Sequence, residues 1–335
     1  VPFIARYRKE ATGSLDEVQI GAVKDAYERF QELEKRRQTV LKSVGEQGKL
    51  TPELRRQLEE APTLAVLEDL YLPFRPRRKT RASQAIERGL EPLAKLLFEQ
   101  KEPRLETKAE RFLTDDVPTV EAALQGARDI VAEWISENAE ARAAVRRVFE
   151  RGAVISSKVK KGREAEGAKY RDYFQFSEEL RRIPSHRLLA LRRGEEEGIL
   201  SLSIAPDEDE ALERLDRLFL RPGSAAKPQM EDVISDAYRR LLRPSLETEF
   251  SALAKEKADA EAIAIFATNL RQLLLASPLG QQRVLAIDPG FRTGCKTVCL
   301  DAQGNLMADI VIFPLDRPAE AGKTVRQFVA RHGIE

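Results

Sequence analysis

The run Ser277-Pro278-Leu279-Gly280-Gln281-Gln282-Arg283-Val284-Leu285-Ala286-Ile287-Asp288-Pro289-Gly290 decides the fold, because the hydrophobic period changes across it. Before it, Phe250, Leu253, Ala258, Ile263, Ile265, Phe266 and Leu270 recur at helical spacing and predict one long amphipathic helix over 246–276. Proline and glycine at 278 and 280 stop that helix. Beyond them, short apolar runs bounded by turn residues read as strands: a buried strand at 283–287, a second at 297–300 and a third at 306–313, with a turn at 301–305. A helix over 318–331 follows. One strand–strand–strand–helix unit cannot bury both faces of its sheet, so 283–335 is expected to be the opening of a larger α/β domain.

Upstream of the break the chain reads as helices with short joints. Val18, Ala22, Ala26, Phe30, Leu33 and Val40 predict a helix over about 15–43, ended by Gly45 and Gly48. Thr51-Pro52 and Pro62-Thr63 punctuate two further helices, and short ones follow at 83–90 and 92–97. A single longer helix is expected over 119–151, and others at 178–193, 209–219 and 230–242. The stretch 151–177 differs, with Gly152, Gly162 and Gly167, several basic residues, and Tyr170, Tyr173, Phe174 and Phe176.

A chain of 335 residues is long enough for more than one core. Lys+Arg 56 against Asp+Glu 55 leaves a net charge of +1, so attraction to a polyanion must come from local clusters. Two cysteines exclude a disulfide scaffold, and no apolar run reaches transmembrane length. The start at Val1, without Met, reads as the interior of a longer protein.

Two clusters can contact phosphates. Arg75, Arg77, Arg78, Lys79 and Arg81 are five basic residues in seven, held extended by Pro73 and Pro76. Guanidinium forks suit phosphates, and several such contacts make binding salt-sensitive. The alternative is a solvated loop paired with the glutamates of 53–60. The second cluster is Lys158, Lys160, Lys161 and Arg163, whose trailing aromatics would either stack on bases or serve as core.

Asp288, at a strand end and followed by Gly290 and Gly294, could stand beside a phosphate or Mg²⁺, or be a turn residue. The stretch 290–297 approaches a phosphate-binding Walker loop but fails, because Cys295 replaces the glycine needed before Lys296 and a strand follows. His186, His332, Cys295 and Cys299 are not spaced as a zinc site or a Cys–His nucleophile pair, so no metal site is read and both cysteines are expected to be buried.

Several stretches together resemble the Tex transcription accessory proteins. They are Pro2-Phe3-Ile4-Ala5-Arg6-Tyr7-Arg8-Lys9-Glu10, Leu67-Glu68-Asp69-Leu70-Tyr71-Leu72-Pro73-Phe74-Arg75-Pro76-Arg77-Arg78-Lys79-Thr80-Arg81, Ala123-Leu124-Gln125-Gly126-Ala127-Arg128-Asp129-Ile130, and Ile183-Pro184-Ser185-His186-Arg187. Asp288-Pro289-Gly290-Phe291-Arg292-Thr293-Gly294 resembles the start of that family's YqgF-type RNase H-like domain. The resemblance implies a bacterial cytoplasmic protein that binds RNA or DNA in transcription or RNA metabolism, with a degenerate nuclease domain and further RNA-binding domains downstream.

The expected architecture is multidomain and mainly α. It comprises a helical N-terminal region (1–150), a helical central region with a basic and aromatic segment (151–278), and a truncated α/β RNase H-like domain (283–335). The expected function is non-catalytic nucleic-acid binding, with no cofactor, no membrane contact, and RNA polymerase or the ribosome as further partners. Two rivals stay open: a Mg²⁺-dependent nuclease built on Asp288, and a protein-interaction scaffold.

Overall fold

Side-chain caps start most helices of the first two-fifths of the chain. Asp16 and Gln19 close a capping box on the Glu17–Glu46 helix. Thr51, Thr63, Thr80 and Thr119 accept from backbone amides at the starts of Pro52–Glu60, Leu64–Tyr71, Arg81–Glu87 and Val120–Glu137. The computed structural model describes residues 1–75, 79–290 and 293–334. The chain divides into two units, Val1–Ala262 and Ile263–Glu335.

The first unit holds two apolar clusters. In the smaller, Leu33, Val40 and Val44 of the long helix bury against Leu58, Ala61, Leu67 and Tyr71. Arg37 closes the end of Pro52–Glu60 by donating to the carbonyls of Leu58 and Ala61, each at 3.0 Å. The larger cluster is organised by Val120–Glu137, which buries Ala123, Leu124, Ala127, Ile130, Val131 and Ile135. A Cβ on Gly126 would stand 2.3 Å from Leu90 Cδ1, so glycine leaves room for Leu90 against this helix. This core crosses position 150: Phe149 stacks on Phe250 at 5.1 Å, and Ile155, Leu191, Leu200 and Tyr238 belong to the same cluster.

In the first unit three elements differ from the sequence expectation. Residues 151–278 are not wholly helical, because they contain a three-stranded antiparallel sheet of order β2-β1-β3. Its strands are β1 (Val154–Val159), β2 (Gln175–Glu179) and β3 (Leu200–Ala205). Leu200, Leu202 and Ile204 alternate with serines, a period-2 signal that outweighs the surrounding helical patterns. The helix expected over 119–151 breaks at Asn138, whose side chain caps Ala139–Gly152 by accepting from Ala141 N–H at 2.9 Å. The helix expected from 178 starts at Ser185, after β2 and the extended Pro184.

The Arg243–Leu274 helix confirms the long helix, but Ile263, Ile265 and Phe266 on it are exposed. The second unit then has β4 (Val284–Asp288), β5 (Cys295–Leu300) and β6 (Leu306–Ile312) in the order β4-β5-β6, both pairings antiparallel, followed by the Pro318–His332 helix. Asp301 organises the expected turn by accepting from the amides of Gln303 and Asn305 at 2.9 and 2.8 Å. These bonds and the Asn305 side chain, which contributes most, hold the Asp301 carboxyl below its usual range. β4 is not the buried strand expected: it is an edge, and Ile287 is 46% exposed, whereas Thr297 and Cys299 on β5 are fully buried. Cys295 is only half-buried. No described helix is long and apolar enough to cross a membrane.

Candidate nucleic-acid interface

The first basic cluster is partly committed to internal bonding. Arg75 follows the 3₁₀ turn Leu72–Phe74 in extended conformation, as the flanking prolines predict. Its guanidinium pairs with Glu68 and lies 5.8 Å from the Tyr71 ring centre. Arg36 reaches the same ring at 5.4 Å and also bonds Glu68, at 3.2 Å through Nη2. The partner of Arg75 is therefore Glu68 and not the glutamates of 53–60. Burial, reinforced by the charges of Arg36 and Arg142, lowers the pKa of Arg75. Lys79 and Arg81 are exposed, but Arg81 opens the Arg81–Glu87 helix and is not on extended backbone. Arg77 and Arg78 lie outside the described residues.

The second cluster is more available. Lys158 points outward near the end of β1, paired across the sheet with Gln175 on β2 and Ser201 on β3. Lys160 and Lys161 sit on the turn that follows, where the Lys160 amide donates to Ile199 O at 2.8 Å and Arg163 N–H to Lys160 O at 3.0 Å. Gly162 has φ of 82°, a conformation that side chains rarely adopt. Arg163 pairs with Glu166 at 2.5 Å. Lys158, Lys160 and Lys161 are exposed and have no carboxylate within 4.0 Å among the described residues. Beside them β1 and β2 form a shallow depression lined by Ser156, Lys158, Gln175 and Ser177 and also by Val159, Phe174 and Phe176.

The aromatics behind this turn serve the core. Tyr170 is buried, while Tyr173, Phe174 and Phe176 pack against the large cluster, with Tyr173 and Phe176 edge-to-face at 5.6 Å. A Cβ on Gly167 would meet Ile199 at 2.5 Å, so this glycine permits close packing. The depression presents hydroxyls, the Gln175 amide and the Lys158 ammonium together with the partly exposed edges of Phe174 and Phe176, and the ammonium and hydroxyl groups suit a sugar–phosphate backbone.

Asp288 stands exposed at the end of β4, opposite Lys296. Among the described residues no group of three His, Cys, Asp or Glu side chains gathers closely enough to hold a metal. The glycines after Asp288 have a packing reason: a Cβ on Gly290 would stand 2.3 Å from Gly294 O, and one on Gly294 2.7 Å from Val311.

Sequence reasoning missed the buried ionic network. Asp69 accepts from Arg142 Nε at 2.5 Å and Arg146 Nη2 at 2.8 Å, and Arg146 also bonds Glu249 at 2.7 Å. Arg142 donates to Ser245 at 3.0 Å. Burial opposes the charge on Arg146, but its bonds to Glu249 and Asp69 outweigh it and raise the pKa. The network ties Leu64–Tyr71 and Ala139–Gly152 to Arg243–Leu274. Isolated charges in a helical pattern carry no sign of this, because the partners are 73 to 103 positions apart.

Three family descriptions match successive parts of the chain: a Tex-like protein N-terminal domain over residues 1–45, a Tex central region-like segment over 100–266, and a Tex protein YqgF-like domain over 282–335. The chain belongs to the Tex family. Relatives include protein YhgF of Escherichia coli, 42% identical, and the transcriptional accessory protein Tex of Neisseria gonorrhoeae, 39% identical, each aligned over the whole chain and 45% of its own length. The human S1 RNA-binding domain-containing protein 1 is 28% identical over 93% of the chain and 33% of its own length. The chain thus spans less than half the length of these curated relatives. Within the Tex-like stretch 67–81, Glu68 and Asp69 hold four arginines (Arg36, Arg75, Arg142 and Arg146), so that motif has a structural role. In the Tex-like stretch 123–130, Gly126 admits Leu90, and Asp129 lies 3.6 Å from Arg240.

Proposed function

We propose that this Tex-family chain contributes a non-catalytic nucleic-acid contact to a cytoplasmic accessory protein of transcription. The observation that carries the proposal is the end of β1 and the turn after it, where Lys158, Lys160 and Lys161 are exposed with no acidic partner among the described residues. The names of two relatives support it, one a transcriptional accessory protein and one an S1 RNA-binding domain protein. Lys79 and Arg81 form a second, weaker contact, to which Arg77 and Arg78 would add. Arg75 is the least available member, because Glu68 already neutralises it. The role needs no cofactor. A Mg²⁺-dependent nuclease would require further carboxylates around Asp288.

The test is fluorescence anisotropy of labelled single-stranded RNA and duplex DNA over a salt series. Replacing Lys158, Lys160 and Lys161 with Gln is expected to weaken both and flatten the log–log salt slope. The change should be about 0.7 per lost phosphate contact on RNA and about 0.9 on duplex. An unchanged slope would make the region a protein-docking scaffold for polymerase or ribosome.

A further inference from the structure

A narrow cleft opens between the helices Ala139–Gly152 and Glu208–Phe219, and it shares no lining residue with the depression beside the lysine turn. It has a volume of about 110 Å³ and is lined by Ala144, Arg147, Val148, Arg151, Glu210 and Arg214. Its floor is apolar, because Ala144 and Val148 are buried in the interface between the two helices. Its lining is charged and unbalanced, because three arginines share it with one glutamate. Arg147 and Arg151, one helical turn apart, are exposed and have no carboxylate within 4.0 Å among the described residues. Glu210 reaches only Arg214, at a loose 3.7 Å.

Like charges that converge on one cleft repel, by about 1 kcal/mol per pair at 4 Å even in water. A multiply charged anion removes that repulsion, and guanidinium groups match phosphate oxygens with paired N–H donors. We propose that this cleft is a phosphate-binding site, in which Arg147, Arg151 and Arg214 hold the oxygens of one phosphate group and Glu210 limits the affinity. The site is independent of the lysine turn, so either can fail without the other.

Titration calorimetry of the chain with orthophosphate, and anisotropy with a labelled single-stranded RNA, test the proposal. Arg147→Gln and Arg151→Gln are each expected to lower orthophosphate affinity on the order of tenfold. Both residues are exposed, so folding should be preserved, as circular dichroism would verify. Glu210→Gln is expected to act in the opposite sense and tighten binding several-fold, which a merely structural carboxylate would not do. If orthophosphate displaces RNA and the arginine variants weaken both, the phosphate belongs to a polynucleotide backbone. If they weaken orthophosphate alone, the occupant is a free phosphate or phosphomonoester, and the site stands. Absence of orthophosphate binding at millimolar concentration, or binding that ignores all three variants, overturns the proposal.

Discussion

Asp69 and Tyr238 are the residues whose environments differ most from what their types suggest. Asp69 is a buried carboxylate between Arg142 and Arg146. Replacing it with Ala would leave two low-solvent guanidiniums without their common counter-charge. Asp69→Ala is therefore expected to cost about 3–5 kcal/mol, read as a lowered urea midpoint. Tyr238 is fully buried, and its hydroxyl has no hydrogen-bond partner among the described residues. Burial pushes its phenol up to about 12, with Arg243 pulling the other way. The fold therefore favours the protonated phenol. That contribution is whole below the unfolded value of about 10 and is lost as pH rises through the range toward 12. Tyr238→Phe should remove this alkaline loss and, by deleting an unpaired buried hydroxyl, leave the protein unchanged or about 1 kcal/mol more stable at neutral pH. Thermal melts at neutral and alkaline pH would check both parts. Neither environment was legible in the sequence, because burial and partners come from segments far apart in the chain. The basic residues were legible as candidates, whereas the pairing of Arg75 with Glu68 was not.

At the scale of elements, caps and close approaches decide where helices end and how they meet. Asn138 separates Val120–Glu137 from Ala139–Gly152 and caps the second. Asn138→Ala is expected to cost about 1 kcal/mol in denaturant unfolding. Gly126 faces Leu90 so closely that an added methyl must displace it. Gly126→Ala should therefore destabilise by about 1–3 kcal/mol, with a larger loss for Gly126→Val on the same assay. Helix positions such as Glu17–Glu46, Pro52–Glu60 and Glu208–Phe219 were readable, because their apolar spacing and caps are local. The sheet of β1, β2 and β3 was obscured because its strands are short, β1 interrupts its apolar residues with Ser156, Ser157 and Lys158, and β2 carries Phe176 as its one apolar residue. Such strands are held by pairing with partners distant in sequence, up to the match of Val154 with Ala205.

For the whole molecule, burial is unevenly divided. The first unit contains the large cluster from Ala82 to Ala258, whereas in Ile263–Glu335 the described buried residues are Gly294, Thr297, Cys299, Ile312 and Ala321. Amides of β4–β6 are accordingly expected to exchange with deuterium well before those of Val120–Glu137, since local opening costs less where little apolar surface is buried. Equal protection of the two would contradict this. By itself, the sequence determined the helical character of most of the chain, the change to strands after Gly280, the turn at Asp301 and the positions of the basic clusters. Those are set by periodicity, turn chemistry and charge, which act between near neighbours. Only the tertiary structure decided that one core runs through position 150 and that the aromatics after the lysine turn face inward. It alone joined Asp69 to Arg142 and Arg146, and Arg147 and Arg151 to Arg214. Those facts depend on which surfaces exclude water together, and a linear pattern records what a residue is without recording what covers it.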